Sequence, residues 1–430
     1  MTATVWSGIP RWLPVRPVLS ALDDEVTALL QEAQAGSPQA RAAFAAWCPA
    51  VSDLSRVTAA DACAVIARSY QAPHWARLVE AVSLTDAIWR DDLEAVTQLI
   101  THDPALLHEP ALIRTDSNWG APLSYAANLG RERIMRYLHQ AGATDLDHAL
   151  QRAALQGQLE AATLLHQWLG TPTPPDDALG GPAYTLSLGG SALLLHLGAR
   201  AVDEHGARLA PVDVVLSTDS RNPCAKHAIL ELYAAHGVQL PATPLMALHR
   251  GRIDLLEQHL ARDAQLLHRR FRHTDIFPPE MGCRHAVDAT VGTPLDGTTL
   301  LHMAIDFDEM EIAQWLLAHG ADVNARAMVG ASGFGGYTPL FCTVVSQPNF
   351  WMNHGQRGPF TAPFTELLLG HGADPNRRAS LWKELHPGYD TPGRYEYRDV
   401  TALSWGRRFH APIFVSAPAM ALIEAAGGTE

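Results

Sequence analysis

The stretch LLHMAIDFDEMEIAQWLLAHGAD, residues 300–322, runs through the helical period twice. Leu300, Leu301, Ala304 and Ile305 make one apolar face, and Met310, Ile312, Ala313, Leu316 and Leu317 make another. A short polar turn separates them, and Gly320 supplies the left-handed residue that ends the second helix. The pattern predicts two short helices joined by a tight turn, a hairpin too small to bury both of its apolar faces alone. The template recurs along the chain. Residues 121–143 and 147–170 repeat it closely, 243–263 is another copy, and 84–104 is a degenerate first one. Residues 337–346 open a further unit whose second helix arrives only at Phe364, and 400–409 with 418–428 form the last. Two weaker candidates lie at 183–200 and 210–240.

The segments TTLLHMAI…EIAQWLLAHGADVNA and YTPLF…TELLLGHGADPN resemble ankyrin repeats, whose pattern is TPLHxAAxxGxxEhVxxLLxxGADxN. The resemblance covers 84–428 with insertions. It implies an all-α solenoid of roughly seven to nine hairpins, each stacking on its neighbours to bury a continuous core. Three regions are expected. Residues 1–83 read as four short helices resembling the N-terminal cap of bacterial ankyrin proteins; 84–266 hold degenerate repeats; 267–430 hold repeats with long insertions. Those insertions, at 268–297, 326–337, 346–364 and 377–399, are rich in Arg, His, Trp and Tyr and far longer than ordinary loops. They are therefore the expected working surface. The family resemblance implies a non-enzymatic interaction module, although fold alone does not fix function.

Between the two helices of 300–322, Asp306, Asp308, Glu309 and Glu311 crowd together. Alignment of the hairpins with one another separates them. Asp308 falls where other units have Gly130, Gly157 and Gly251, and where the first has Asp91. That position is expected to need positive φ, which Asp tolerates better than most residues. Glu311 falls with Glu94, Glu160 and Asp254 at the start of a second helix, where an acid favours the helix dipole. Asp306 aligns with Trp89, Asn128, Leu155 and His249, so it has no counterpart of its charge. It lies where a carboxylate opposes the dipole, and it calls for a partner such as an arginine of the neighbouring insertion, or for a ligand. Glu309 reads as an exposed residue of the same turn. His302 takes the histidine place of the repeat pattern, whose imidazole is expected to hydrogen-bond backbone between repeats.

The insertions supply the remaining candidates. His273, Asp275, Cys283, His285 and Asp288 are metal-ligand types, but their spacing matches no standard zinc pattern. A loop packed by Phe271, Ile276 and Phe277 is the expectation there. RRFRH, 269–273, sets three guanidiniums in four residues, suited to an anion or to pairing with Asp306, Asp308 and Glu309. GFGGY, 333–337, lacks the strand–turn–helix context of a phosphate loop. NFWMNHG, 349–355, places Trp351 and His354 together as an anchor for recognition. The leading reading is recognition of a protein or peptide, with Arg269, Arg272, Trp351, His354, Arg398 and Trp405 as contacts. The alternative is an ankyrin-scaffold enzyme or small-molecule sensor, its pocket lined by Asp306, Asp308, His302, His273 and Arg272.

Composition narrows this further. With 45 acidic against 32 basic side chains, the formal charge of −13 over 430 residues disfavours binding to nucleic acid or an anionic membrane surface. Five cysteines, widely spread and in no CxxC pair, argue against a disulfide framework or a structural zinc, and for a reducing compartment. No apolar run approaches the length of a membrane span, and the N-terminus has no continuous apolar core of a signal peptide. The expectation is a bacterial cytoplasmic protein without a cofactor, with secretion by a non-classical route left open.

Overall fold

The computed structural model describes residues 10–114, 117–175, 177–218, 220–284, 292–345, 361–384 and 393–430. Helix pairs make up two units, residues 1–172 and 173–430.

In the first unit, helices Leu19–Gln34, Pro38–Trp47 and Ala59–Ser69 precede the pairs. Local chemistry sets their starts. The Ser37 side chain accepts from the Ala40 N–H, and Thr58 with Asp61 forms a reciprocal capping box. The next helix, Trp75–Trp89, runs without interruption through the 83/84 position where the cap was expected to give way to the repeats. No Gly or Pro breaks it, and Leu78, Ala81, Val82, Leu84, Ala87 and Ile88 are buried along its length. It pairs with Leu93–His102; Pro122–Asn128 pairs with Glu132–Gln140, and Leu146–Gln156 with Leu159–Leu169.

In the second unit both weaker candidates form real pairs: Gly180–Thr185 with Leu188–His196, and Val212–Ser217 with Pro223–Ala235. Pro244–His249 with Ile253–Arg262 and Leu300–Asp306 with Met310–Ala318 follow. The next unit begins with a 3-10 turn, Pro339–Thr343, in place of a full helix, before Pro363–Gly370. Ala402–Arg408 with Ala417–Ala425 closes the series. The helical-repeat expectation stands, with one departure inside the 377–399 insertion. Strands Ala379–Glu384 and Arg394–Val400 form an antiparallel ribbon, with Leu381 opposite Tyr397 and Lys383 opposite Tyr395. Strand alternation explains the ribbon's two faces. Leu381, Lys383 and Tyr397 are buried, while Trp382 is part-exposed and Glu384 exposed.

The turns behave as the internal alignment requires. Asp308 has φ 65° and Asp91 has φ 59°, beside Gly130 at 64°, Gly157 at 71° and Gly251 at 65°. Neighbouring repeats are tied by asparagines just beyond the second helices. Asn324 Nδ2 donates to Gly372 O at 3.1 Å and its Oδ1 accepts from Asp374 N at 2.8 Å. Asn376 repeats both bonds, to Gly427 O at 3.0 Å and from Thr429 N at 2.8 Å. Each amide satisfies one backbone donor and one acceptor that the loops would otherwise leave unpaired.

The left-handed turn gives a direct test at exposed Asp91. Asp91→Gly is expected to leave stability unchanged or raise it by up to about 1 kcal/mol, and Asp91→Val to lower it by about 1–2 kcal/mol, in urea unfolding.

Candidate functional site

Asp306 ends helix Leu300–Asp306 with its side chain almost wholly buried, 3% exposed. Its partner is Arg221, just ahead of helix Pro223–Ala235. Arg221 Nη2 donates to Asp306 Oδ2 at 3.0 Å and Nε donates to the Asp306 main-chain oxygen at 2.6 Å. One guanidinium thus answers both the carboxylate and a terminal carbonyl of the helix, which removes the unfavourable position inferred from the dipole. Burial nevertheless pushes the Asp306 carboxyl above the usual carboxylate range, opposed by Arg221, Lys383 and Lys226.

The surrounding groups come from several segments of the second unit. Lys226 and His227 lie in the first turn of Pro223–Ala235, and His249 ends Pro244–His249. Lys226 Nζ donates to His249 Nδ1 at 2.8 Å, and His249 Nε2 donates to Ile276 O at 2.9 Å. This fixes a neutral histidine, with burial and Lys226 holding its pKa well below the ordinary value. Lys226 is buried too; burial lowers its ammonium to about 7, and the Nζ lies 4.2 Å from the centre of the Phe307 ring. His227 Nε2 donates to Glu309 Oε1 at 2.7 Å. Its ring packs on Gly251, where a methyl group would collide with it. Lys383 arrives from the inward face of the ribbon, fully buried, and Cys342 lies close enough that Asp306 adds to the effect of burial in raising its thiol. A methyl group on Gly292 would collide with Asp306 Oδ1, so backbone and carboxylate are in close approach.

The partner expected for Asp306, an arginine of 269–272, is therefore corrected. Arg269 pairs with Asp263, Arg270 Nε donates to Arg326 O at 2.7 Å, and Arg272 lies 3.5 Å from Asp296. Glu309 is corrected as well: it is 4% exposed and pairs with His227 instead of facing solvent. The reach of Arg221 and His227 past a whole intervening hairpin is what sequence spacing could not supply. Lys383 was missed because the 377–399 insertion reads as a loop, and only the strand alternation sends its side chain inward.

The other candidates scatter. His302 is fully buried; its Nε2 donates to Tyr337 O at 3.2 Å and its Nδ1 accepts from the Thr299 hydroxyl at 2.9 Å, the inter-repeat bond expected of it. Burial lowers its pKa to about 4. Glu311 stands in the first turn of Met310–Ala318. Asp308 is exposed at its turn, and desolvation by the groups beneath it raises its carboxyl. His273 packs at a tilt against Phe277 and heads the short helix His273–Ile276; Ile276 and the following Phe277 are buried with Phe271, as expected of a packed loop. Arg398 is exposed, bonded to Glu396 and lying over the Phe334 ring. Trp405 is 0% exposed, between Phe341 and Phe409, so it belongs to the core and offers no contact surface. Trp351, His354, His285 and Asp288 lie outside the described residues. Among the described residues no group of three or more His, Cys, Asp or Glu is placed to hold a metal ion.

The hairpin that carries Thr299, His302 and Asp306 is also the one that matches a family model, that of the ankyrin repeat, over residues 296–327. Residues 296–327 are an ankyrin repeat. No curated protein matches it. Among solved structures, the crystal structure of the human ASB11 ankyrin repeat domain is similar at 17% identity, covering 72% of this chain and 99% of that one, with a TM-score of 0.24. Among the described residues no helix is long and apolar enough to cross a membrane.

Two measurements test the cluster. Arg221→Ala strands a buried carboxylate, so urea unfolding is expected to show a loss of about 3–5 kcal/mol, with Asp306→Asn in the same background recovering part of it. The second concerns pH. Below the ordinary histidine pKa of 6.5 the unfolded chain takes a proton at residue 302 that the folded chain refuses until about pH 4. Stability is thus complete above pH 6.5 and declines through that window, by about 3 kcal/mol from His302 alone. Lys226 acts in the same sense between about 7 and 10.5, stability rising with pH, while the raised carboxyls of Asp306 and Asp308 oppose the slope at its acidic end. His302→Gln is expected to flatten the slope between pH 6.5 and 4 by about one proton, measured as unfolding free energy against pH.

Proposed function

We propose that the protein is a recognition module that takes a protein or peptide partner through the insertion-bearing loops of its second unit. Ankyrin repeats generally bind protein partners, and the observation that carries the reading here is where the second unit spends its polar and apolar groups. The buried polar side chains around Asp306 and His302 are turned on one another: Asp306 to Arg221, Glu309 to His227, Lys226 to His249, His302 to Thr299 and Tyr337. None of these is offered to solvent as a base or nucleophile. By contrast the turn in the 326–337 insertion holds Met328 45% exposed and Val329 60% exposed. On the same turn the Phe334 ring lies under Arg398, whose side chain is 58% exposed. Exposed apolar side chains beside arginine are the composition of a protein-binding patch. Arg269 and Arg272, 52% and 62% exposed at their side chains, extend the accessible basic surface.

The test is comparative affinity purification with quantitative mass spectrometry. Wild type is set against Met328→Ser/Val329→Ser/Arg398→Ala and against a control altered only in the first unit, Leu159→Ser. The expected outcome is a set of interactors lost from the triple variant and kept by the control. An interactor set indifferent to the triple variant overturns the assignment.

A further inference from the structure

Along the loop edge of the second unit, three arginines follow the second helices of successive hairpins, and the first two each reach the segment that carries the next. Arg270 Nε donates to Arg326 O at 2.7 Å, Arg326 Nη2 donates to Arg378 O at 3.0 Å, and Arg378 Nη1 donates to Asp399 O at 2.6 Å. All three are exposed. Arg270 and Arg326 are each held by a backbone carbonyl of the following segment, which fixes their place while leaving other N–H donors of the fork for a ligand; Arg378 is held more fully, its Nη2 also donating to Glu430 O at 2.8 Å. Among the described residues no ion pair engages Arg270 or Arg326, and Arg378 lies 3.3 Å from the Oδ2 of exposed Asp399. The nearby turn acids are occupied by the turns themselves. Asp322 accepts from Asn324 N, and Asp374 accepts from Asn376 N and pairs with Arg377.

Around the row, Arg394 lies over the Trp382 ring at 4.5 Å and Arg398 over Phe334 at 4.3 Å, sharing Glu396 between them. Met328 and Val329 stand exposed two and three residues after Arg326. In a chain whose formal charge is −13, this edge is a local reversal of sign.

We propose that Arg270, Arg326 and Arg378 form a register of cationic contacts for an extended acidic peptide segment bearing a carboxylate at every third residue. The spacing carries the assignment. Helical units stack at roughly 10 Å, and a polyproline II chain advances about 3.1 Å per residue with about three residues per turn, so its third side chain falls on the same face about one repeat further on. The intervening positions then face Met328 and Val329. Phosphates of a single-stranded nucleic acid are the competing anion, and the excess of acidic side chains in the chain disfavours them. The proposal rests on the recognition reading and names the chemistry of its partner.

The test uses the full chain and fluorescence anisotropy of labelled synthetic peptides. One carries Glu at every third position with Ala and Pro between; a second has the same composition with its Glu residues contiguous; a single-stranded oligonucleotide is the third probe. The spaced peptide is expected to bind about tenfold more tightly than the contiguous one, to weaken as salt rises, and to lose about tenfold on Arg270→Gln/Arg326→Gln. Glutamine keeps a donor for the carbonyl but not the charge, and an unchanged unfolding midpoint certifies its fold; Arg270→Lys/Arg326→Lys is the companion that retains charge should the glutamine variant unfold. Equal binding of both peptides, tighter binding of the oligonucleotide, or a glutamine variant that binds as wild type overturns the register. If no acidic peptide binds while the interactor set still depends on Met328 and Val329, the register falls and the recognition reading stands.

Discussion

The burial of Asp306 is the constraint from which much of the second unit follows. A carboxylate removed from water needs a cation and hydrogen bonds to remain charged at acceptable cost. Arg221 supplies both through one guanidinium that also takes the helix's terminal carbonyl. To reach that point Arg221 must stand ahead of helix Pro223–Ala235, and the first turn of that helix then delivers Lys226 and His227 to the same interior. The histidine at the end of the intervening hairpin has to be neutral, because Lys226 directs its ammonium at it. The ribbon adds Lys383 from the other side. These groups are coherent only together, since deleting any one leaves another buried and unanswered.

That arrangement also shows why an ankyrin hairpin does not by itself disclose a catalytic site. Depressed lysine and histidine pKa values and a raised carboxyl are common marks of active sites. Here the same marks arise from desolvation of groups that are already bonded to one another. A buried polar network can serve as the structural join between repeats.

Much of this was legible in the chain. The period of the apolar residues located the hairpins, and the alignment of Asp308 and Asp91 with glycines foretold their left-handed backbone. The histidine place of His302 foretold its inter-repeat bond. The fate of Glu309 was not legible, because local position makes it a turn residue and only tertiary packing brings His227 over it. Arg221 gave no local signal: it stands in a short connection 85 residues before its partner. The ribbon escaped notice because Gly, Pro and charged residues around 377–399 read as a loop, although RYEYRDV carries the aromatic alternation of a strand. Helix Trp75–Trp89 runs through the 83/84 position because its sequence has no stop signal at that point.

In a stack whose units touch only their neighbours, repeats can be gained or lost at small cost, and folding can start in any of them. Arg221 and His227 break that rule by reaching the second hairpin beyond their own. The three hairpins from Val212 to Ala318 are thereby joined into a single cooperative block, with contacts remote in sequence that must close before any part is secure. Duplication or deletion of the middle hairpin would move Arg221 out of reach of Asp306, so this stretch of the repeat array is fixed in length, while the hairpins outside it are not held by that bond.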